Sequence, residues 1–112
     1  MEPSDLLNLP GVYRIQCKAT GQCYVGSTIR PIPTRVREHL VLLEKQRHPS
    51  ALLQELWNTY GEEGFSVWPL RWPVVIDEAD LRQAEDEEAE YWQSMGLLLN
   101  QYPPGSRRSR RW

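Results

Sequence analysis

Two phenols, one guanidinium and one imidazole stand in the first half of this chain: Tyr13, Tyr24, Arg35 and His39. A guanidinium holds anionic groups through paired hydrogen bonds. A phenol or imidazole beside it can take up or release a proton. Arg35 and His39 are four residues apart, so on a helix their side chains share a face. Tyr13 and Tyr24 are 11 residues apart, a spacing that suits the two strands of one hairpin. Gly11 and Gly26 fall where the backbone must turn or be closely approached. Singly, each residue has an ordinary explanation: a strand Tyr packs, and an Arg and a His on a helix face are solvated. A site arises only if the helix packs beside the hairpin and brings all four together.

The elements that must do this are legible. Residues 11–17 read as a strand through Val12, Tyr13 and Ile15. Lys18-Ala19-Thr20-Gly21 reads as a turn, and residues 23–25 as a second strand stopped by Gly26-Ser27. Pro31 and Pro33 punctuate a loop. Thr34 is the expected cap of a helix running to about Gln46, with Val36, Leu40 and Leu43 inward and Val41 beside them. Pro49-Ser50 begins a second helix, with Leu52, Leu53, Leu56, Trp57 and Tyr60 at helical spacing and Gly61 at its end. Residues 65–76 read as extended, but Pro69 and Pro73 confine them to an edge or a bulged strand. Asp80 is the expected cap of a third helix, with Leu81, Ala84, Tyr91, Trp92 and Met95 inward and Gly96 at its end. Residues 97–99 offer a last short strand. The order β-β-α-α-β-α predicts an α/β fold, a small and mainly antiparallel three-stranded sheet flanked by helices.

The 112 residues suffice for one small domain, expected over 1–102, followed by an Arg-rich flexible tail over 103–112. No apolar run reaches the roughly 18 residues of a membrane span. The acidic start lacks the basic region of a signal peptide, which predicts a cytoplasmic protein with no membrane partner. Cys17 and Cys23 do not have a zinc-knuckle spacing and are expected as reduced thiols. The net charge of −2 argues against a bulk cationic binder, but it conceals an asymmetry. Residues 14–47 hold seven basic and two acidic side chains, a local charge of +5. Residues 77–90 hold eight acids and one Arg, a local charge of −7. The end adds Arg107, Arg108, Arg110 and Arg111.

Pro10-Gly11-Val12-Tyr13 followed by Tyr24-Val25-Gly26-Ser27 resembles the two halves of the GIY-YIG nuclease signature. Arg35, His39, the stretch from Leu53-Gln54 through Trp57 and Tyr60-Gly61 to Phe65, the pair Tyr91-Trp92 and Leu99-Asn100 match the later elements in order. The stretch around Trp57 is most like the homing-endonuclease branch. The resemblance implies divalent-metal-dependent hydrolysis of a DNA phosphodiester, with Mg²⁺ or Mn²⁺ as cofactor. It implies Arg35 as holder of the scissile phosphate and Tyr13 as the base that takes a proton from water, Tyr24 orienting the water or holding phosphate. The two tyrosines are exchangeable at this stage. His39 would position Tyr13 or the phosphate, or act as an auxiliary acid or base, and Asn100 would brace the site. Candidate DNA contacts are Arg14, Lys18, Ser27, Arg30, Arg37, His48, Arg107 and Arg108. Single-stranded, branched and duplex DNA all remain open, as does the oligomeric state.

One departure stands out. The family's metal-binding Glu precedes the helix Trp by three residues, which here is Ala89. The resemblance therefore implies an inactive Glu→Ala form at Ala89, whether introduced or natural, that still binds DNA. A shifted register with a neighbouring acid, Glu88 or Glu85, as the ligand is the alternative. Glu85 shares the face of position 89 but lies one turn away, about 6 Å along the axis, too far to bind the same ion. The function classes left are a nuclease domain, a binding module using the same cleft, and an interaction protein whose aromatic residues are merely core.

Overall fold

The computed structural model describes residues 8–71 and 77–101. Strand β1 (Gly11–Cys17) lies at the centre of a three-stranded antiparallel sheet, between β2 (Cys23–Thr28) and β3 (Phe65–Arg71). Helices α1 (Ile32–Glu44) and α2 (Ala51–Tyr60) follow β2, and α3 (Glu78–Ser94) follows β3. The three-stranded sheet and the β-β-α-α-β-α order are as the sequence predicts. β3 is indeed both edge and bulged: Val12 pairs with Arg71 but Tyr13 with Pro69, so one residue is passed over. An edge strand tolerates Pro69 because its missing N–H is not needed by a further neighbour. Pro73 and the expected tail, with Arg107 and Arg108, lie outside the described residues.

The sheet has two buried faces. Tyr13, Ile15, Cys17 and Tyr24 pack against Val36, Leu40 and Leu43 of α1, Leu53 and Trp57 of α2, and Phe65. On the other face Val12, Cys23 and Val25 meet Ala89 of α3, with Ala84, Trp92 and Leu98 beside them. Strand alternation sends neighbouring residues to opposite faces. That is why Cys17 and Cys23, both free and buried, belong to different clusters.

The helix ends differ from the expectations in instructive ways. α1 starts two residues before Thr34, with Pro31 at its N-cap and no side-chain cap. Proline presets a helical φ and lacks a donor that the first turn would leave unused. The Ile32 N–H is satisfied instead by the Leu9 carbonyl at 2.8 Å. α2 begins as expected, with the Ser50 hydroxyl accepting from Leu53 N–H. α3 is capped by Asp77, not Asp80: its carboxylate accepts from the N–H groups of Ala79 and Asp80. β2 runs through Gly26-Ser27 instead of stopping there.

Several apolar side chains expected inward are on the surface. Val41, Leu52, Tyr60, Tyr91 and Met95 are all exposed, Tyr91 by 58%. The inner stripe of α3 is Leu81, Glu85 and Ala89. In place of a last strand, Leu98 makes a single parallel bridge to Cys23.

Candidate active site

The hairpin sets the first half of the site. Tyr13 pairs across the sheet with Gly26, and Ile15 with Tyr24, so both phenols rise on the α1 face. Gly26 makes room for Tyr13: a Cβ at position 26 would overlap the phenol oxygen and lie 2.6 Å from Cζ. Gly11 has φ +150°, a conformation side chains disfavour. Gly26→Ala is expected to displace the Tyr13 ring at a cost of about 1–3 kcal/mol. The check is thermal unfolding, in which Tm should fall by roughly 5–15 °C.

Helix α1 supplies the second half. His39, 1% exposed, faces the hairpin, and its Nε2 lies 2.7 Å from the Tyr13 hydroxyl. Its Nδ1 lies 2.8 Å from Nε2 of His48, whose ring stacks on it at 5.0 Å. Tyr24 meets both imidazoles edge-on, at 5.1 and 5.4 Å between ring centres. Arg35, one turn before His39, brings its charge close enough to the Tyr13 oxygen to oppose the rise in that phenol and gives Nη1–H to Glu38 at 2.8 Å. Glu38 in turn holds Arg30 through both oxygens, at 2.7 and 2.8 Å.

Burial and charge set the ionisation of this cluster. Burial raises Tyr13 well above the usual phenol value, and Tyr24 raises it further, while Arg35 works the other way. Burial holds His39 well below its ordinary value, with the Arg35 charge adding to the effect. Burial and Arg35 push His48 down to about 4. Between the ordinary 6.5 and 4 the unfolded chain binds a proton on His48 that the folded chain refuses. Stability therefore falls as the pH is lowered through that window and levels off below it. This one group contributes on the order of 3 kcal/mol of acid destabilisation. Melting curves from pH 7.5 to 4 should show the loss, and His48→Phe should remove this share of it while that of His39 stays. Glu38 goes the opposite way for a carboxylate, down to about 2, because Arg30 and Arg35 both donate to it.

On the other face of the sheet, α3 aims Glu85 at the end of β2 that holds Gly26 and Ser27. Glu85 is 3% exposed, and its Oε1 accepts from the Ser27 hydroxyl at 2.7 Å, directly beyond Gly26. It is near enough to Tyr13 to raise that phenol. Ala89, one turn later, is 3% exposed among Val12, Cys23 and Val25. Glu88 gives its oxygen to Arg71 at 2.9 Å. Asn100 closes the open edge of β2: its side-chain amide accepts from Val25 N–H at 2.8 Å and donates to Val25 O at 2.7 Å.

The expected residues thus separate. Tyr13, Tyr24, Arg35 and His39 meet at one place, and Asn100 braces the strand beneath them. His48 and Ser27, expected as DNA contacts, are inside the fold, 7% and 6% exposed. Arg14 is on the α3 face, between the rings of Trp68 and Trp92. Lys18 is in the hairpin turn at the far end of β1, bonded to the Glu63 carbonyl. Arg30 and Arg37 flank Arg35. Arg37 also lines a groove of about 510 Å³ along α1 with Thr34, Glu38 and Val41. Sequence reasoning missed Glu38 and the depth of His48. The three-residue spacing of Arg35 and Glu38 was the available signal for the first. No local signal marked the second.

No group of three or more His, Cys, Asp or Glu side chains among the described residues could hold a metal ion. A single buried carboxylate is nevertheless compatible with Mg²⁺, which keeps several waters and binds through one or two carboxylates and substrate phosphates.

A three-stranded sheet with paired tyrosines on one hairpin and an Arg–His turn on the helix behind it defines the class of domain. The model of the GIY-YIG catalytic domain matches residues 9–89, and the chain belongs to that family. Among solved structures, a Glu-to-Ala mutant of the catalytic domain of the intron endonuclease I-TevI superimposes with a TM-score of 0.76. That match has 23% identity and covers 87% of this chain and 96% of the other. The catalytic domain of the homing endonuclease I-TevI gives 0.74 at 24% identity, covering 83% and 98%. At these identities the likeness is one of fold. No curated protein matches the chain.

Proposed function

We propose that this domain is a divalent-metal-dependent DNA endonuclease that hydrolyses phosphodiester bonds. The observation that carries the reading is the convergence of Tyr13, Arg35 and His39 at Gly26, with the Glu85 carboxylate against Ser27 on the far side of the same glycine. Arg35 holds the scissile phosphate as a fixed cation where negative charge develops. Tyr13, as the phenolate with its own proton released to solvent, takes the proton of the attacking water. Its raised value means that it does so only when cations face it, and Arg35 is one. Tyr24 packs the two imidazoles in place. Glu85 is the residue that would hold Mg²⁺ or Mn²⁺. When bound, the metal supplies charge stabilisation at a phosphate oxygen and an acidified water.

Glu85 is preferred over position 89 because its carboxylate is turned to the catalytic end of the sheet, whereas Ala89 is surrounded by apolar side chains. Phosphates have a route in from the basic 14–47 segment, of which Arg30, Arg35 and Arg37 sit together on α1 and the loop before it. Among the described residues no helix is long and apolar enough to cross a membrane.

The test is cleavage of single-stranded, duplex and branched DNA by the purified chain with Mg²⁺, Mn²⁺ or EDTA. Metal-dependent cutting of any of the three supports the reading. Salt-dependent binding without cutting supports a second reading, a binding module in which Ala89 marks a lost metal site. Binding to none of them leaves the interaction protein.

A further inference from the structure

Tyr13, His39 and His48 form a chain of three hydrogen-bonding groups whose direction is fixed at its inner end. The backbone N–H of Ser50 lies 3.0 Å from Nδ1 of His48. An amide N–H can only donate, so Nδ1 of His48 must be the acceptor and carries no proton. A neutral imidazole with a bare Nδ1 has its proton on Nε2. That proton points at Nδ1 of His39, 2.8 Å away. Nδ1 of His39 is then an acceptor too, and its proton sits on Nε2, 2.7 Å from the Tyr13 oxygen. Each step leaves one choice.

We infer that Ser50, His48 and His39 are a one-way donor relay that presents an N–H to the Tyr13 oxygen, so that His39 positions the phenol and never receives its proton. The count at the oxygen agrees. A phenol oxygen has two acceptor sites and one proton. His39 fills one acceptor site, and the Arg35 charge lies near the same oxygen. The Tyr13 proton is therefore turned away from His39, and the side of the oxygen it points to is where a water can be met. The His39 N–H and the nearby Arg35 charge stabilise the phenolate once formed. Ser50 is a rigid anchor: its hydroxyl caps α2 through Leu53 N–H and donates to the Leu99 carbonyl, which precedes Asn100. The relay therefore ties the N-terminus of α2 to the nucleophile-activating residue of β1.

This inference rests on the proposed function for its purpose but not for its test. The chain has only two histidines. Long-range ¹H–¹⁵N correlation spectra of the full chain labelled at histidine, without DNA or metal at pH 7.5, report the tautomer of each. Both imidazoles are expected neutral, protonated at Nε2 and bare at Nδ1. A proton on Nδ1 of either ring, or an imidazolium, overturns the relay whether or not the protein cuts DNA. In His48→Phe the donor to His39 is gone, and the His39 signal should move toward the Nδ1–H tautomer. An unchanged His39 signal in a folded His48→Phe would show that His48 merely fills space. If cleavage is found, that variant should lower kcat about tenfold with KM for DNA unchanged, the scale of one misdirected hydrogen bond. Should it fail to fold, the wild-type spectrum alone decides.

Discussion

Glu85→Gln is expected to lower metal-dependent cleavage by about 10²–10³-fold, the scale of removing one group that stabilises developing charge. Gln keeps the shape and still accepts from the Ser27 hydroxyl, so folding should be undisturbed. DNA binding in EDTA should be unchanged, because no phosphate contact is lost. Ala89→Glu is the companion experiment. It places a carboxylate among Val12, Cys23 and Val25, where the structure offers no donor among those apolar neighbours. Burying it costs on the order of 2–3 kcal/mol, a fall in Tm of roughly 10–20 °C. Cleavage rates at fixed metal concentration, together with melting curves for both variants, decide between the positions. If Ala89→Glu stays folded and gains cleavage that the parent chain lacks, position 89 is the metal site and Glu85 is only the partner of Ser27.

Arg35→Ala should be at least as damaging. It removes the cation proposed to hold the phosphate and the charge that favours ionised Tyr13, so a loss of about 10³-fold in kcat/KM is expected. Salt-dependent DNA binding should weaken as well. Arg35→Lys should recover little, because an ammonium cannot engage Glu38 and a phosphate together as a planar fork does. Glu38 competes with the phosphate for the same guanidinium. Its ion pairs are largely solvated, with side chains 38% and 40% exposed for Arg30 and Glu38, so losing them should scarcely affect stability. Glu38→Gln is therefore expected to tighten DNA binding by a few-fold, measured by anisotropy at two salt concentrations. An Arg35→Ala protein that cuts normally would sink the proposed role.

Much of this protein is readable in one dimension. The two strands of the hairpin follow from alternation and a Gly-containing turn. The edge position of β3 follows from Pro69. The shared face of Arg35 and His39 follows from helical periodicity. These are local consequences of backbone geometry, and the match of Gly11, Tyr13, Tyr24 and Gly26 to a family pattern is equally local. The misread apolar positions show where that stops. Leu52, Tyr60, Tyr91 and Met95 have the right spacing for an inner stripe, yet spacing says only that residues share a face and not how wide the covered strip is.

Position along an axis is the other quantity that periodicity does not contain. Glu85 and Ala89 share one face of α3, and nothing in their sequence says which of the two turns meets the end of β2 where Gly26 admits the Tyr13 phenol. Docking decides it. The C-terminal end of α3 is held beside Cys23 by the Leu97–Leu99 contacts, which leaves the earlier turn opposite Ser27. The same holds for His48, a polar residue in a loop by sequence and an interior member of the tyrosine cluster by packing. Residue types and local periodicity thus determined the family, the elements and the chemistry available. Tertiary packing alone decided which acid faces that chemistry and which way the hydrogen bonds run, because both depend on contacts between segments 9 to 75 residues apart.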